Sequence, residues 1–249
     1  MVSLVLFGSH MDAGGRADKT AETTGGTMFG LILALAMLAL PAAAQTAPSA
    51  AEIAAYDGLH RAAQEGDVAT IRRLAAQGAN VNARDGRRRT PAHVAAFASQ
   101  DEALRALAEA GADMNALDAD AYDTVTIAAV ANDPDLMSLA IALGNDPGLT
   151  TSPYDGTALI AAAHLGHAEV VRRLIAAGAP LDHVNNLGWT ALIEAVILGD
   201  GGENHQAVVQ ALITAGADPA IADRGGTTPL AHAEARGFDA IARLIRTAE

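Results

Sequence analysis

The sequence has no cysteine, which excludes disulfides, thiolate metal sites, a cysteine nucleophile and a lipid anchor attached through cysteine. Aromatic residues are only 3% of its 249, so any core has to be aliphatic. Lysine occurs once, at Lys19, and every other cation is arginine. A formal charge of −13 argues against general binding to nucleic acid or anionic membranes. Aromatic and β-branched runs are missing too, which argues against a sandwich or barrel. What the chain does have is alanine, close to a quarter of its residues, within an apolar total of 51%. Alanine has the highest helix propensity, and this much apolar residue is too hydrophobic for a disordered chain.

From Phe29 to Leu40 the chain runs without a charge. As a helix this stretch would span about 18 Å, too short for a bilayer core of roughly 30 Å. Pro41 and the small residues Ala42 and Ala44 follow, as expected for a secretory leader cleaved before Gln45. The alternative is a buried apolar helix or an uncleaved anchor. Residues 1–27 are long for a leader and mix Arg16 and Lys19 with Asp12, Asp18 and Glu22, so a start at Met11 or Met28 is considered as well. Residues 45–49 read as a linker. Losing 1–44 removes two cations and three acids, leaving a net charge of −12.

The remainder repeats. Gly-Ala-(Asp/Asn) recurs at Gly78, Gly111 and Gly216, and Gly144 and Gly178 stand in the same series. Threonine recurs independently at Thr90, Thr124, Thr157, Thr190 and Thr228, with Asp57 in the same role before them. Both sets step by 33 or 34 residues, with one step of 38. A threonine hydroxyl can cap a helix whose first turn tolerates proline, as in Thr90-Pro91. A break such as Gly166-His167 leads to a second helix, where Val170, Val171, Leu174 and Ile175 share one face and Arg172 and Arg173 face water. Gly178 then supplies the left-handed residue that ends it.

Thr90-Pro91-Ala92-His93-Val94-Ala95-Ala96 and Thr228-Pro229-Leu230-Ala231-His232-Ala233, at this period, resemble the ankyrin repeat, whose core reads T-P-L-H-x-A. The resemblance covers residues 50–249 and implies an all-α solenoid of about six helix-turn-helix units with hairpin-like loops: 50–84, 85–117, 118–150, 151–184, 185–222 and 223–249. The third unit departs most, with Val125-Thr126 in place of Pro-Leu, and is expected to be the least stable stack. The fifth carries five extra residues, expected as an acidic, glycine-rich loop around Gly199–His205 that projects from between its helices.

No G-x-S-x-G, P-loop or H-E-x-x-H sequence is present. His164, His167, His183 and His205 lie near one another in sequence, but zinc needs at least three converging ligands. The resemblance gives His60 and His93 a structural hydrogen-bonding role. No cofactor or metal is expected, and no enzyme. Arg84, Arg87, Arg88 and Arg89 form the one cationic cluster, either a dock for an acidic partner or phosphate or a solvated turn. Of the few aromatics, Tyr122, Tyr154 and Trp189 precede successive threonine markers, and Phe97 falls late on a first helix. In an ankyrin array, tips and first helices line the concave groove that binds partners. These four side chains therefore either anchor a partner there or pack on the neighbouring hairpin.

The resemblance implies a monomeric, non-enzymatic protein-binding scaffold. Arginine and alanine richness with a leader point to a GC-rich bacterium and the periplasm, with an accessory or inhibitory role toward another exported protein. A secreted effector that binds a host protein is the alternative, and an enzyme built on the array is the reading of another class. If the leader is cleaved as read, intact-mass analysis of periplasmic material gives a chain beginning at Gln45. A chain retaining residues 28–44 would contradict export by this route.

Overall fold

The computed structural model describes residues 45–248. The leader therefore lies outside the described residues. Thirteen helices are present among them. The first, α1 (Ala50–Ala55), is capped at its amino end by a box in which the Ser49 hydroxyl and the Glu52 carboxylate each accept the other residue's backbone N–H. Six helix pairs follow: α2 (Gly58–Glu65) with α3 (Val68–Ala76), α4 (Pro91–Phe97) with α5 (Asp101–Glu109), and α6 (Thr124–Ala131) with α7 (Pro134–Ala142). Then come α8 (Ala158–Leu165) with α9 (Ala168–Ala176), α10 (Ala191–Ile197) with α11 (Glu203–Ala215), and α12 (Pro229–Ala235) with α13 (Asp239–Arg246). No strand occurs among the described residues; one isolated antiparallel bridge joins Thr151 and Gly156.

First helices stack on first helices through the whole array, from α2 to α12, and second helices stack on second helices in a parallel layer. The inner first helices, α4, α6, α8 and α10, have almost no polar side to spare. On α4, all residues from Pro91 to Ala96 are buried, and on α10 all from Ala191 to Val196. Alanines at Ala95, Ala128, Ala162 and Ala195 are fully covered, and their small size is what lets one first helix lie close to the next. The second helices are one-sided: Val170, Val171 and Leu174 are buried while Arg172 is exposed. Arg173 does not simply face water, because its guanidinium reaches back to the Pro134 carbonyl at 2.7 Å and to Asp135. In the outer layer α5 and α7 meet least, which puts the loosest packing at the entrance to the divergent third unit.

Three caps match the expected threonines. Thr157, Thr190 and Thr228 accept from the backbone N–H three residues on. In the third unit the register differs by one residue. Asp123, not Thr124, caps α6, accepting from the Thr126 N–H at 2.8 Å. Asp123 is buried, and Asn145 compensates by donating to its other oxygen at 2.7 Å and accepting from Val125 N–H. Asn145 stands where other units have the alanine of Gly-Ala-Asp, so two departures from the repeat complete each other.

The fifth-unit insertion is also corrected. It does not project as a free loop. Much of it lengthens α11 to 13 residues, against nine in α9. What remains is pinned to both neighbours: the His205 Nε2–H donates to the His164 carbonyl at 3.0 Å, and a Cβ on Gly201 would lie 2.6 Å from the Phe238 ring.

Thr190→Ala is expected to lower stability by about 1 kcal/mol through the lost cap. Gly178→Val should cost more. The site has open space but a φ of 85°, which a β-branched residue resists. Thermal melts in which both variants match the parent would contradict the cap assignments.

Candidate binding surface

Each hairpin between units is built on one side-chain oxygen. Asp85 Oδ1 accepts the backbone N–H of Arg87 and Arg89, and Asp118 Oδ1 those of Asp120 and Tyr122. Ser152, Asn185 and Asp223 repeat the arrangement. These oxygens close each turn as an Asx or Ser turn, so the residues between them stand at the tip. Tips are then tied together: Ala119 N–H donates to Arg87 O, and Asn186 N–H to Tyr154 O, both at 2.9 Å. The histidines extend the ties. His60 and His93 donate Nε2–H to the Arg89 and Tyr122 carbonyls at 3.0 Å, each reaching the next unit. The structural role expected of them holds.

The cationic cluster is divided by burial and pairing. Arg89 is 1% exposed and paired with both Asp85 and Glu52. It sits immediately before the Thr90 cap, a position the array covers. Burial pushes the Asp85 carboxyl up, but the Tyr56 hydroxyl and Arg89 outweigh it and hold it below the usual carboxylate range. Arg87 is spent on Asp120 of the next tip at 2.8 Å, and Arg84 on the Arg88 and Leu117 carbonyls. Arg88, at the tip with a φ of 61°, is the exposed member without a side-chain partner among the described residues.

The aromatics divide as well. Once Asp123 is the cap, Tyr122 occupies the same place as Arg89, and like it is buried, so it is not an exposed anchor. Phe97 is half-buried at the end of α4 and lines a recess in the groove. Tyr154 and Trp189 are half-buried on the hairpins before α8 and α10. Sequence reasoning missed their companions. Val184 and Leu187, on the same hairpin as Trp189, are 48% and 38% exposed. Leu165 and Leu198 are exposed at the far ends of α8 and α10. The signal was available: Leu187 stands, relative to its cap, where Arg87 and Asp120 stand in other hairpins.

Glu194, on α10, is buried, receives a hydrogen bond from the Asn185 amide at 2.8 Å, and lies 3.6 Å from His164 on α8. Burial pushes its carboxyl up to about 7. Burial, with His205 nearby, lowers His164 below its ordinary value, so both groups favour their uncharged forms. His167 Nδ1 bonds the Ala129 carbonyl and His183 the Asp155 carbonyl. No group of three or more histidines and acids among the described residues could hold a metal ion.

A family model described as ankyrin repeats (3 copies) matches residues 40–118 and 125–223. The chain is 41% identical to the ankyrin repeat protein YahD of Escherichia coli K12 over 113 residues, 45% of this chain and 56% of that one. The match thus spans little more than half of that protein's length. An ankyrin repeat domain from Acinetobacter baumannii AYE superposes with a TM-score of 0.72 and 44% identity, covering 76% of this chain and 96% of that one. A chain from the complex of a Bdellovibrio bacteriovorus predatory endopeptidase with an immunity protein superposes with a TM-score of 0.64 at 21% identity, covering 78% and 99%. That last likeness is one of fold.

Because Glu194 carries a raised pKa when folded, its stabilising contribution is complete below its unfolded value near 4.5 and is lost as pH rises through about 7. Glu194→Gln keeps an acceptor for Asn185 and removes the titration. Its melting temperature relative to the parent is expected to climb between pH 5 and pH 8, by the equivalent of up to about 3 kcal/mol. A constant difference across that range would contradict a buried, uncharged Glu194.

Proposed function

Since the chain belongs to the ankyrin-repeat family, we propose that it is a non-enzymatic scaffold that works in the periplasm, holding another exported protein as its accessory or inhibitor. Protein binding is what ankyrin arrays do; the compartment and the kind of partner are our reading. The observation that carries it is the apolar set on units 4 and 5. Val184, Leu187, Trp189 and Tyr154 sit on two hairpins joined by backbone hydrogen bonds, and a set of exposed aliphatic and half-buried aromatic side chains on a stiff frame suits a protein interface. The apolar stretch 29–40 followed by Ala42 and Ala44 supports export. A chain of this fold in an endopeptidase–immunity protein complex is compatible with an inhibitory role.

Tyr154→Ala with Trp189→Ala is expected to abolish partner capture while circular dichroism stays native. An aromatic anchor at an interface contributes about 2 kcal/mol or more to binding, and these two are peripheral to the aliphatic core. Leu174→Ala is the reversed control. Leu174 is fully buried, so its truncation should lower stability by about 2–5 kcal/mol and leave capture by the folded fraction intact. A double variant that stays folded and captures the partner undiminished would contradict the assignment of the surface.

A further inference from the structure

The groove is covered at its other end. Gln45 forms one wall of a recess of about 220 Å³, opposite Phe97 of α4, Ile127 and Val130 of α6, and Leu136 of α7. One residue on, the Thr46 carbonyl accepts from the Arg89 guanidinium at 3.3 Å, and the Glu52 carboxylate takes the other terminal nitrogen of the same group. Residues 45–52 therefore cross from units 2 and 3 over Arg89 into α1 as a strap.

Three features mark the strap as replaceable. The first is that Arg89 is held without it. Its Nε donates to Asp85 at 2.7 Å, and Asp85 is fixed in turn by the Tyr56 hydroxyl and two backbone N–H groups. Second, α1 has no buried residue, and Ile53, partly buried, is its one hydrophobic side chain packed against the core. Third, Gln45 is an imperfect wall for the recess. Its Nε2 is buried with no hydrogen-bond partner, an unfavourable state for an amide that an apolar side chain would avoid. The charge requirement is firmer. Arg89 is so deeply covered that its terminal nitrogens need acceptors, and a carboxylate where Glu52 now stands is the acceptor that suits a cation best.

We propose that the concave face of units 2 and 3 is a second binding site, for an extended partner segment that brings an apolar side chain to the Phe97 recess and a carboxylate to Arg89, displacing residues 45–52. The site is separate from the hairpin surface of units 4 and 5, and each can fail without the other.

Native-state hydrogen exchange on the full chain gives the first test. Amides of α1 are expected to exchange through local opening, at least about tenfold faster than those of α4 and α6. The second test uses a synthetic peptide of residues 45–56, titrated onto the full chain carrying Glu52→Ala, whose own strap is loosened. The peptide should bind. With Glu52→Gln in the peptide, affinity should fall about tenfold, since the bond to a buried cation loses its charge. With Gln45→Leu in the peptide, affinity should rise. Exchange of α1 only on global unfolding would make it a fixed end cap and overturn the proposal. So would a folded Glu52→Ala chain that ignores the peptide, or that binds the Glu52→Gln peptide equally well. If Glu52→Ala prevents folding, exchange on the unaltered chain still decides.

Discussion

A helix pair of about thirty-three residues exposes an apolar face on each side and can bury neither by itself. That constraint governs everything else in this chain. It requires first helices small enough to stack, and alanine at Ala95, Ala128, Ala162 and Ala195 meets the requirement. It also makes each hairpin a joint between units, so the polar atoms there have to be satisfied partly by the neighbour. His60 and His93 do this by reaching the carbonyl one unit on, and His205 does it between the fifth and fourth units. The surface that remains for function is whatever the stacking leaves uncovered.

The stack itself was legible because two unrelated residue types kept one period. Threonine caps and left-handed glycines answer different physical needs, the one for an acceptor and the other for a positive φ, so their agreement fixed the unit length. The third unit was read one residue out of register, since Thr124 stands beside the true cap Asp123 and is the residue type the pattern asks for. A third marker set went unseen. Asp85, Asp118, Ser152, Asn185 and Asp223 perform one task, offering a side-chain oxygen to two tip N–H groups, yet they are three residue types. Identity hides what chemistry shares.

The binding surface was harder to read. Arg89 and Tyr122 look like tip residues in sequence, but both are buried, and a cation so covered needs the paired carboxylates it has. Trp189 stands at the same place and is half-buried, because exposure there depends on the neighbouring hairpin. The apolar tip residues Val184 and Leu187 are informative for the opposite reason. Leu187 stands where Arg87 and Asp120 carry charge in other hairpins, and both side chains remain exposed. The concave face is thereby divided: residues 45–52 lie across units 2 and 3, and the aliphatic and aromatic set stands open on units 4 and 5.

That division is tested most directly by site-specific photo-crosslinking in the cells that make the protein, with the probe at Leu187 and, as the opposed position, at Gln210, which is exposed on α11 in the outer layer. The account expects a discrete protein adduct from position 187 and none from 210. Adducts from 210 alone, or none from 187 under conditions where the partner is present, would contradict it.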